Sequence, residues 1–183
     1  TVEGKSIAQL AEERNQAPID ALLNVILKEK AEASVVIFAL SQEDHERIIK
    51  HPLSMIGSDG FPCSYGEPRL QGKPHPRCLA TFPRVLAKYV REDRLLDLET
   101  AVYKMTGFAA GRFGLTDRGI LKKGMLADFV VFDLEKIADK STFSDPYQKA
   151  EGIRYIIKNG RVLIEDNRFS GEIIGKSVRL NSR

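Results

Sequence analysis

Ser54-Met55-Ile56-Gly57-Ser58-Asp59-Gly60 is the stretch on which the interpretation of this chain depends. A short apolar run leads to an aspartate between two small residues, and a loop rich in Gly and Pro then ends at His75-Pro76-Arg77. Loops longer than about 12–15 residues are usually functional or disordered. Enzymes built on parallel sheets carry catalytic side chains just after the carboxyl ends of their strands. The pattern therefore predicts a catalytic Asp59 at a strand end, with Arg77 returned by the loop.

A parallel βαβ unit is predicted around this stretch. Residues 33–40 (ASVVIFAL) are a continuous apolar run rich in β-branched side chains, which is typical of a strand buried on both faces. Residues 53–57 are the second predicted strand. Between them Ser41 is a predicted helix N-cap, and the helix should end before Pro52, because the residue preceding a proline avoids the helical conformation. The loops that follow the two strands should lie on the same side of the sheet.

Two helices are predicted before this unit. Ser6 and Gln9 have the spacing of a capping box, which opens a helix that runs to about residue 14. Pro18 suits the first turn of a second helix. Apolar residues recur there at helical spacing and predict one face packed on a core: Ile19, Leu22, Leu23, Ile26 and Leu27.

Helices continue after Arg77 and then give way to strands. The pattern over residues 77–93 is helical, and Asp97 is a predicted N-cap. Asn159-Gly160 is a strong signal for a type I′ hairpin. Further helices are predicted over 98–105 and 108–113, and strands over 127–133, 153–158 and 161–165. We therefore predict an α/β chain with a domain boundary near residue 115, dividing it into residues 1–114 and 115–183.

Composition excludes several functional classes. The 28 basic and 25 acidic residues are interspersed, so composition gives no case for binding nucleic acid or an anionic membrane. The longest apolar run, residues 35–40, is far shorter than the roughly 20 residues that cross a bilayer. The start lacks both a signal peptide and an initiator Met, and two cysteines do not make a disulfide framework. We therefore expect a cytoplasmic, reduced setting.

The sequence resembles the D-aminoacylase (N-acyl-D-amino-acid deacylase) family of the amidohydrolase superfamily. The more specific part of the resemblance lies in residues 56–60, His75-Pro76-Arg77 and residues 81–86 (TFPRVL), in that order. A second part is common to the superfamily: Asp117-Arg118-Gly119, Gly124, Ala127-Asp128 and Phe132-Asp133. The similarity runs over essentially the whole chain.

The resemblance implies a fold and a cofactor. The family fold is a (β/α)₈ TIM barrel with a small β-sandwich, so this chain would hold the last two parallel βα units and the C-terminal share of the sandwich. The family's zinc is held by His and Cys ligands on earlier strands, and the only histidines here are His45, His51 and His75. We therefore expect zinc in the full-length parent and an inactive isolated chain.

The resemblance also implies roles for site residues in cleaving the amide bond of N-acyl-D-amino acids. Asp59 matches the general base and acid, and is a weaker candidate for a metal ligand. Arg77 matches the arginine that binds the substrate's free carboxylate. His75, Ser58 and Gly60 are the remaining candidates for substrate binding. The residues alone leave simpler roles open, since an Asp between Ser and Gly also suits a turn and His-Pro also shapes one.

Other hypotheses stay open at this point. The parent could be a cyclic amidase related to dihydroorotase or hydantoinase, or the chain could be a non-catalytic α/β interaction module. A zinc site made of Cys63, His75 and Cys78 is possible, although their spacing matches no structural zinc pattern. Expected partners are the small-molecule substrate and either the missing N-terminal part of the barrel or a second copy that covers the exposed strands, because open sheet edges invite pairing.

Overall fold

The computed structural model describes residues 2–62 and 72–178, in which helices precede an antiparallel sheet. None of the helices in these ranges is long and apolar enough to cross a membrane. The helices are α1 (Ile7–Glu13), α2 (Pro18–Lys28), α3 (Gln42–Lys50), α4 (Arg77–Arg84), a π-helix (Val85–Glu92), α5 (Leu98–Met105) and α6 (Gly107–Arg112). The strands are β1 (Phe129–Phe132), β2 (Ile153–Lys158), β3 (Arg161–Glu165) and β4 (Arg168–Phe169).

Side-chain caps set the starts of three helices, as predicted. Ser6 Oγ accepts from the backbone N–H of Gln9 at 3.2 Å, and Gln9 Oε1 accepts from the backbone N–H of Ser6 at 2.8 Å. Ser41 and Asp97 each accept a bond from the backbone N–H three residues on, at 3.0 and 2.7 Å. These bonds satisfy donors that have no partner within a helix, which explains why short sequence signals locate the helix starts.

The sheet is an antiparallel meander with strand order β1-β2-β3-β4. Asn159 and Gly160 have φ values of 50° and 75°, which confirms the predicted hairpin turn between β2 and β3. The backbone N–H of Gly160 also donates to the carbonyl of Ala127 at 2.9 Å. The tip of the hairpin is therefore fixed to the segment that enters β1.

The main core joins the helices to the segment that follows β1. Ile137 is almost fully buried and belongs to the same apolar cluster as the π-helix. The Arg91 guanidinium crosses this junction and donates to the carbonyls of Leu134 at 2.9 Å and Ile137 at 2.5 Å. The buried members of the cluster are Ile49, Val85, Leu86, Ala87, Tyr89, Val90, Ala101 and Ile137.

The two predicted parallel strands are not formed, which corrects the βα part of the predicted fold. Among the described residues, neither 33–40 nor 53–57 pairs with a strand. Residues 33–40 are almost entirely exposed, Phe38 and Leu40 among them. A strand of a parallel sheet needs neighbours on both edges and cover on both faces, and a two-stranded sheet alone is marginally stable. Within the described residues the apolar run therefore stays largely uncovered, and one of its side chains, Phe38, meets another aromatic ring, that of Phe143.

The predicted core face of α2 is also wrong for four of its five residues, the fifth, Leu22, being half-buried. Ala21 and Val25 are the buried residues of α2, and they pack on Leu10 and Ala11 of α1 in a small separate core. The large apolar side chains lie on the exposed side of the helix: Ile19, Leu23, Ile26 and Leu27. Helical spacing correctly identifies an apolar stripe, but it does not say which surface will cover that stripe.

Residues 77–93 form two kinds of helix rather than one. An α-helix runs to Arg84 and contains Pro83, and the π-helix follows it directly. π-helices are rare and are frequent near functional sites. Here the wider turns bury Leu86, Tyr89 and Val90 together in the main core.

Candidate functional site

Residues 53–60 keep the two-faced character of a strand although they have no strand partner. Exposure alternates strictly along them: Ser54, Ile56, Ser58 and Gly60 are half-buried against the helices, while Leu53, Met55, Gly57 and Asp59 face outward. This alternation matches the period-two pattern of an extended chain as far as Ser58, and the positive φ of Asp59, 47°, ends it. It places Asp59 on the open face of the segment.

Asp59 and Arg77 are brought together at 2.9 Å, between Arg77 Nη2 and Asp59 Oδ2. The Asp59 side chain is 87% exposed and that of Arg77 is 42% exposed, so both remain accessible. Asp59 has a φ of 47°, in the left-handed region that Asp tolerates better than most residues. Arg77 begins α4, where the helix dipole disfavours a cation, and the Asp59 carboxylate offsets that effect.

Gly60 allows the segment that carries Asp59 to approach α4 closely. A Cβ at this position would lie 2.7 Å from Cys78 Cα and 3.3 Å from the carbonyl oxygen of Arg77. Ser58 Oγ accepts from the backbone N–H of Gly60 at 3.3 Å, which shapes the turn around Asp59. The small residues on both sides of Asp59 therefore position it beside Arg77.

His75 lies just before α4 and packs against an aromatic ring. Its Nδ1 accepts from the backbone N–H of Arg77 at 3.0 Å. Its ring meets Phe143 edge-on at 5.0 Å between centroids, and Phe143 meets Phe38 in the same way at 4.9 Å. Burial, and to a lesser extent the charge of Arg77, lower the pKa of His75 from its ordinary value. The hydrogen bond from the backbone N–H of Arg77 also requires a neutral ring, because Nδ1 must keep its lone pair to accept it.

We expect His75 to titrate below its ordinary pKa of about 6.5. The unfolded chain then binds more protons than the folded chain in this range, so stability should fall as the pH is lowered from about 6.5 through the folded-state pKa. NMR of labelled histidine measures this pKa directly. Arg77→Ala should raise the pKa of His75, and the control Arg154→Ala should leave it unchanged. A pKa of His75 at or above 6.5 in the folded protein would contradict the assignment of its environment.

Phe143 is a site residue that sequence reasoning missed. It follows β1 by eleven positions in a stretch without regular structure, and it contacts a ring in each of two distant segments. No motif or spacing connects it with His75. Its position depends on tertiary packing alone.

The described residues contain no group of three or more His, Cys, Asp or Glu side chains that could hold a metal ion. Cys63 lies outside the described residues, so the hypothetical site with His75 and Cys78 stays a prediction. Cys78 is half-buried and has a free thiol. The described residues around Asp59 therefore do not by themselves form a zinc centre.

The sequence of this chain is similar to that of a known family of proteins. A model described as the amidohydrolase family matches residues 1–164. An N-acyl-D-aspartate deacylase of Alcaligenes xylosoxydans xylosoxydans is 44% identical over 80% of this chain and 28% of its own length. A D-aminoacylase of the same organism is 39% identical over 96% of this chain and 34% of its own length. The chain thus spans about a third of the length of each of these two relatives.

Solved structures agree with the sequence comparison. A crystal structure of D-aminoacylase, described as defining a novel subset of amidohydrolases, matches with a TM-score of 0.78 and 40% identity over 92% of this chain and 33% of its own. An N-acyl-D-glutamate deacylase from Bordetella bronchiseptica, complexed with zinc and a phosphonate that mimics the tetrahedral intermediate, matches with a TM-score of 0.76. The identity there is 37%, over 87% of this chain and 31% of the other.

Proposed function

The chain belongs to the amidohydrolase family, and within it to the D-aminoacylases, and from this premise we propose that the natural protein cleaves the amide bond of N-acyl-D-amino acids. The observation that supports the proposal is the accessible Asp59–Arg77 pair. In this pair the Asp59 carboxylate can accept and return a proton, and the Arg77 guanidinium can bind a carboxylate. An N-acyl amino acid needs both, since it has one amide to cleave and one carboxylate to bind.

Asp59 is the proposed general base and acid. Water adds to the amide carbon, and its proton passes to the Asp59 carboxylate. The same proton then goes to the amide nitrogen as the C–N bond breaks, which yields a carboxylic acid and a free D-amino acid. The acid keeps the second proton of the water and releases it to solvent to become a carboxylate. The outward position of Asp59 and the small residues beside it leave room for a substrate amide.

Arg77 is the proposed ligand of the substrate carboxylate. A guanidinium presents its N–H groups as a planar fork that matches a carboxylate, and it has enough donors to bind the substrate and Asp59 together. His75 fixes the first turn of α4 and so the direction of Arg77. Ser58 and Gly60 are proposed to line the same pocket beside Asp59.

We further propose that residues 1–114 are the last part of a TIM barrel and residues 115–183 part of a small β-sandwich. The exposed apolar surfaces of α2 and residues 33–40 support this, because they are the surfaces that preceding barrel segments would cover. The zinc of the natural protein is then held by residues outside the described ones. A cytoplasmic location is part of the same proposal.

The substrate class is tested by assaying the natural full-length protein. We expect release of free amine from N-acetyl-D-amino acids, and little from the L-enantiomers or from cyclic amides such as dihydroorotate. Hydrolysis of cyclic amides alone would replace this proposal with a cyclic amidase. Failure to hydrolyse any amide, in a folded and zinc-loaded protein, would favour the non-catalytic interaction module.

Arg77→Lys should weaken substrate binding while leaving the reacting groups in place. Lysine keeps the positive charge but not the fork, and the loss of a charged hydrogen bond costs about 1.5–3 kcal/mol. We therefore expect KM for an N-acetyl-D-amino acid to rise about ten- to a hundredfold. Arg154→Lys is the control, since Arg154 also pairs with an exposed aspartate, Asp166, at 3.8 Å. An unchanged KM for Arg77→Lys would remove Arg77 from the carboxylate site.

A further inference from the structure

Among the described residues, Lys104 is the one charged residue that is buried, with 3% of its surface exposed. Its ammonium donates to the carbonyl of His51 at 2.5 Å, to the carbonyl of Ser54 at 2.9 Å and to Ser54 Oγ at 3.0 Å. An ammonium has three donors, so all of them are satisfied. Burial lowers the pKa of Lys104, and the three acceptors favour its charged form.

These acceptors mark the point where α3 ends and the segment leading to Asp59 begins. His51 is the C-cap of α3, and its carbonyl has no partner within the helix. Besides the ammonium, this carbonyl accepts from the backbone N–H of Ser54 at 3.0 Å and from its hydroxyl at 2.9 Å. A cation at the C-terminal end of a helix is also favoured by the helix dipole. Lys104 thus fixes the turn from which the segment starts.

The main chain of Lys104 holds the same segment a second time. The backbone N–H of Ile56 donates to the carbonyl of Lys104 at 3.3 Å, and the Ile56 side chain packs on the main core. Ser54 and Ile56 both belong to the half-buried face of residues 53–60. Lys104 therefore holds the half-buried face of residues 53–60 at two positions, Ser54 and Ile56. The exposed face, which carries Asp59, is thereby kept in one orientation.

From these contacts we propose that Lys104 is a positioning residue for Asp59, acting through Ser54 and Ile56. This inference rests on the proposed role of Asp59. Apart from the bond of Ile56 to Lys104, the amides of residues 53–60 make few bonds: Leu53 donates to His51 Nδ1 at 3.2 Å, Ser54 to the carbonyl of His51 at 3.0 Å and Gly60 to Ser58 Oγ at 3.3 Å. Removing the ammonium should therefore let the segment shift, while Arg77 and the rest of the pocket keep their places on α4.

The test compares Lys104→Met, Ser54→Ala and the exposed control Lys123→Met in the natural full-length protein. Methionine keeps the length of the side chain and removes the charge. A misplacement of about 1 Å can cost on the order of a hundredfold in rate, so kcat of Lys104→Met should fall by about that factor with KM unchanged. Ser54→Ala removes Ser54 Oγ from both Lys104 and the carbonyl of His51, so it should lower kcat in the same direction. The double variant should lose less than the two single losses combined, because both changes remove the contact between Lys104 and Ser54 Oγ. Lys123→Met should behave as the unmodified protein.

Amide hydrogen exchange gives a readout that is independent of the reaction. Exchange at Ile56 should become faster in Lys104→Met, while exchange in β2 should not change. If the protein proves to have no deacylase activity, the proposed function fails, and faster exchange at Ile56 still supports the anchoring role. Unchanged kcat and unchanged exchange at Ile56 would overturn the proposal. If Lys104→Met does not fold, Ser54→Ala decides: a normal kcat with normal exchange at Ile56 would also overturn it.

Discussion

Asp59→Asn should lower kcat for N-acetyl-D-amino acids by about 10²–10⁴-fold, with only a small change in KM. Asparagine has nearly the same shape as aspartate but cannot take a proton from water and return it to the leaving nitrogen. It also tolerates the left-handed backbone that Asp59 adopts, with its φ of 47°. The substitution should therefore remove the proton carrier and leave the turn intact.

Asp166→Asn is a matched control for this change. Asp166 also has a positive φ, of 42°, its side chain is 65% exposed, and it pairs with Arg154. Its replacement should leave kcat and KM unchanged. Steady-state kinetics of both variants, with zinc content and circular dichroism measured alongside, separate a chemical role from a structural one. Equal rates for Asp59→Asn and the unmodified protein would eliminate Asp59 as the general base.

Much of the local structure could be predicted because its causes lie within a few residues. The caps at Ser6, Ser41 and Asp97 and the turn at Asn159-Gly160 depend on bonds and φ values that the sequence encodes locally. The pairing of Asp59 with Arg77, in contrast, joins residues far apart in the sequence. The resemblance to a family named both residues, but only the structure shows their charged groups 2.9 Å apart.

The wrong predictions share one physical cause. An apolar pattern shows that a surface is suited to burial, but it does not specify which segment will pack against that surface. Residues 33–40 have the composition of a buried strand, and α2 has an apolar stripe, yet both are exposed here. Burial of such surfaces depends on the segments that pack against them, which the pattern itself does not specify. Phe143 and Lys104 were missed for the complementary reason, since long-range packing places each of them beside the site without any signal at its own position.

Gly152→Ala should cause one of the largest losses of stability available to a single methyl group in this chain. Gly152 has a φ of 78°, and a Cβ there would lie 2.5 Å from Ile137 Cα and 2.6 Å from the carbonyl carbon of Lys136. These are backbone atoms of the junction between the sheet and the main core, where Ile137 is fully buried. The left-handed backbone costs a non-glycine residue about 1–2 kcal/mol and overpacking about 1–3 kcal/mol. We therefore expect the free energy of unfolding to fall by about 2–5 kcal/mol.

Gly171→Ala separates the two contributions to that loss. Gly171 has a similar φ of 85°, but a Cβ there would meet nothing within 4 Å. Its replacement should cost only the backbone strain of about 1–2 kcal/mol, so the difference between the two variants measures the steric contact alone. Urea unfolding of the natural protein, followed by far-UV circular dichroism, provides both values. Equal destabilisation by the two substitutions would mean that Ile137 and Lys136 move aside without cost, and that the sheet is not locked to the helical core at Gly152.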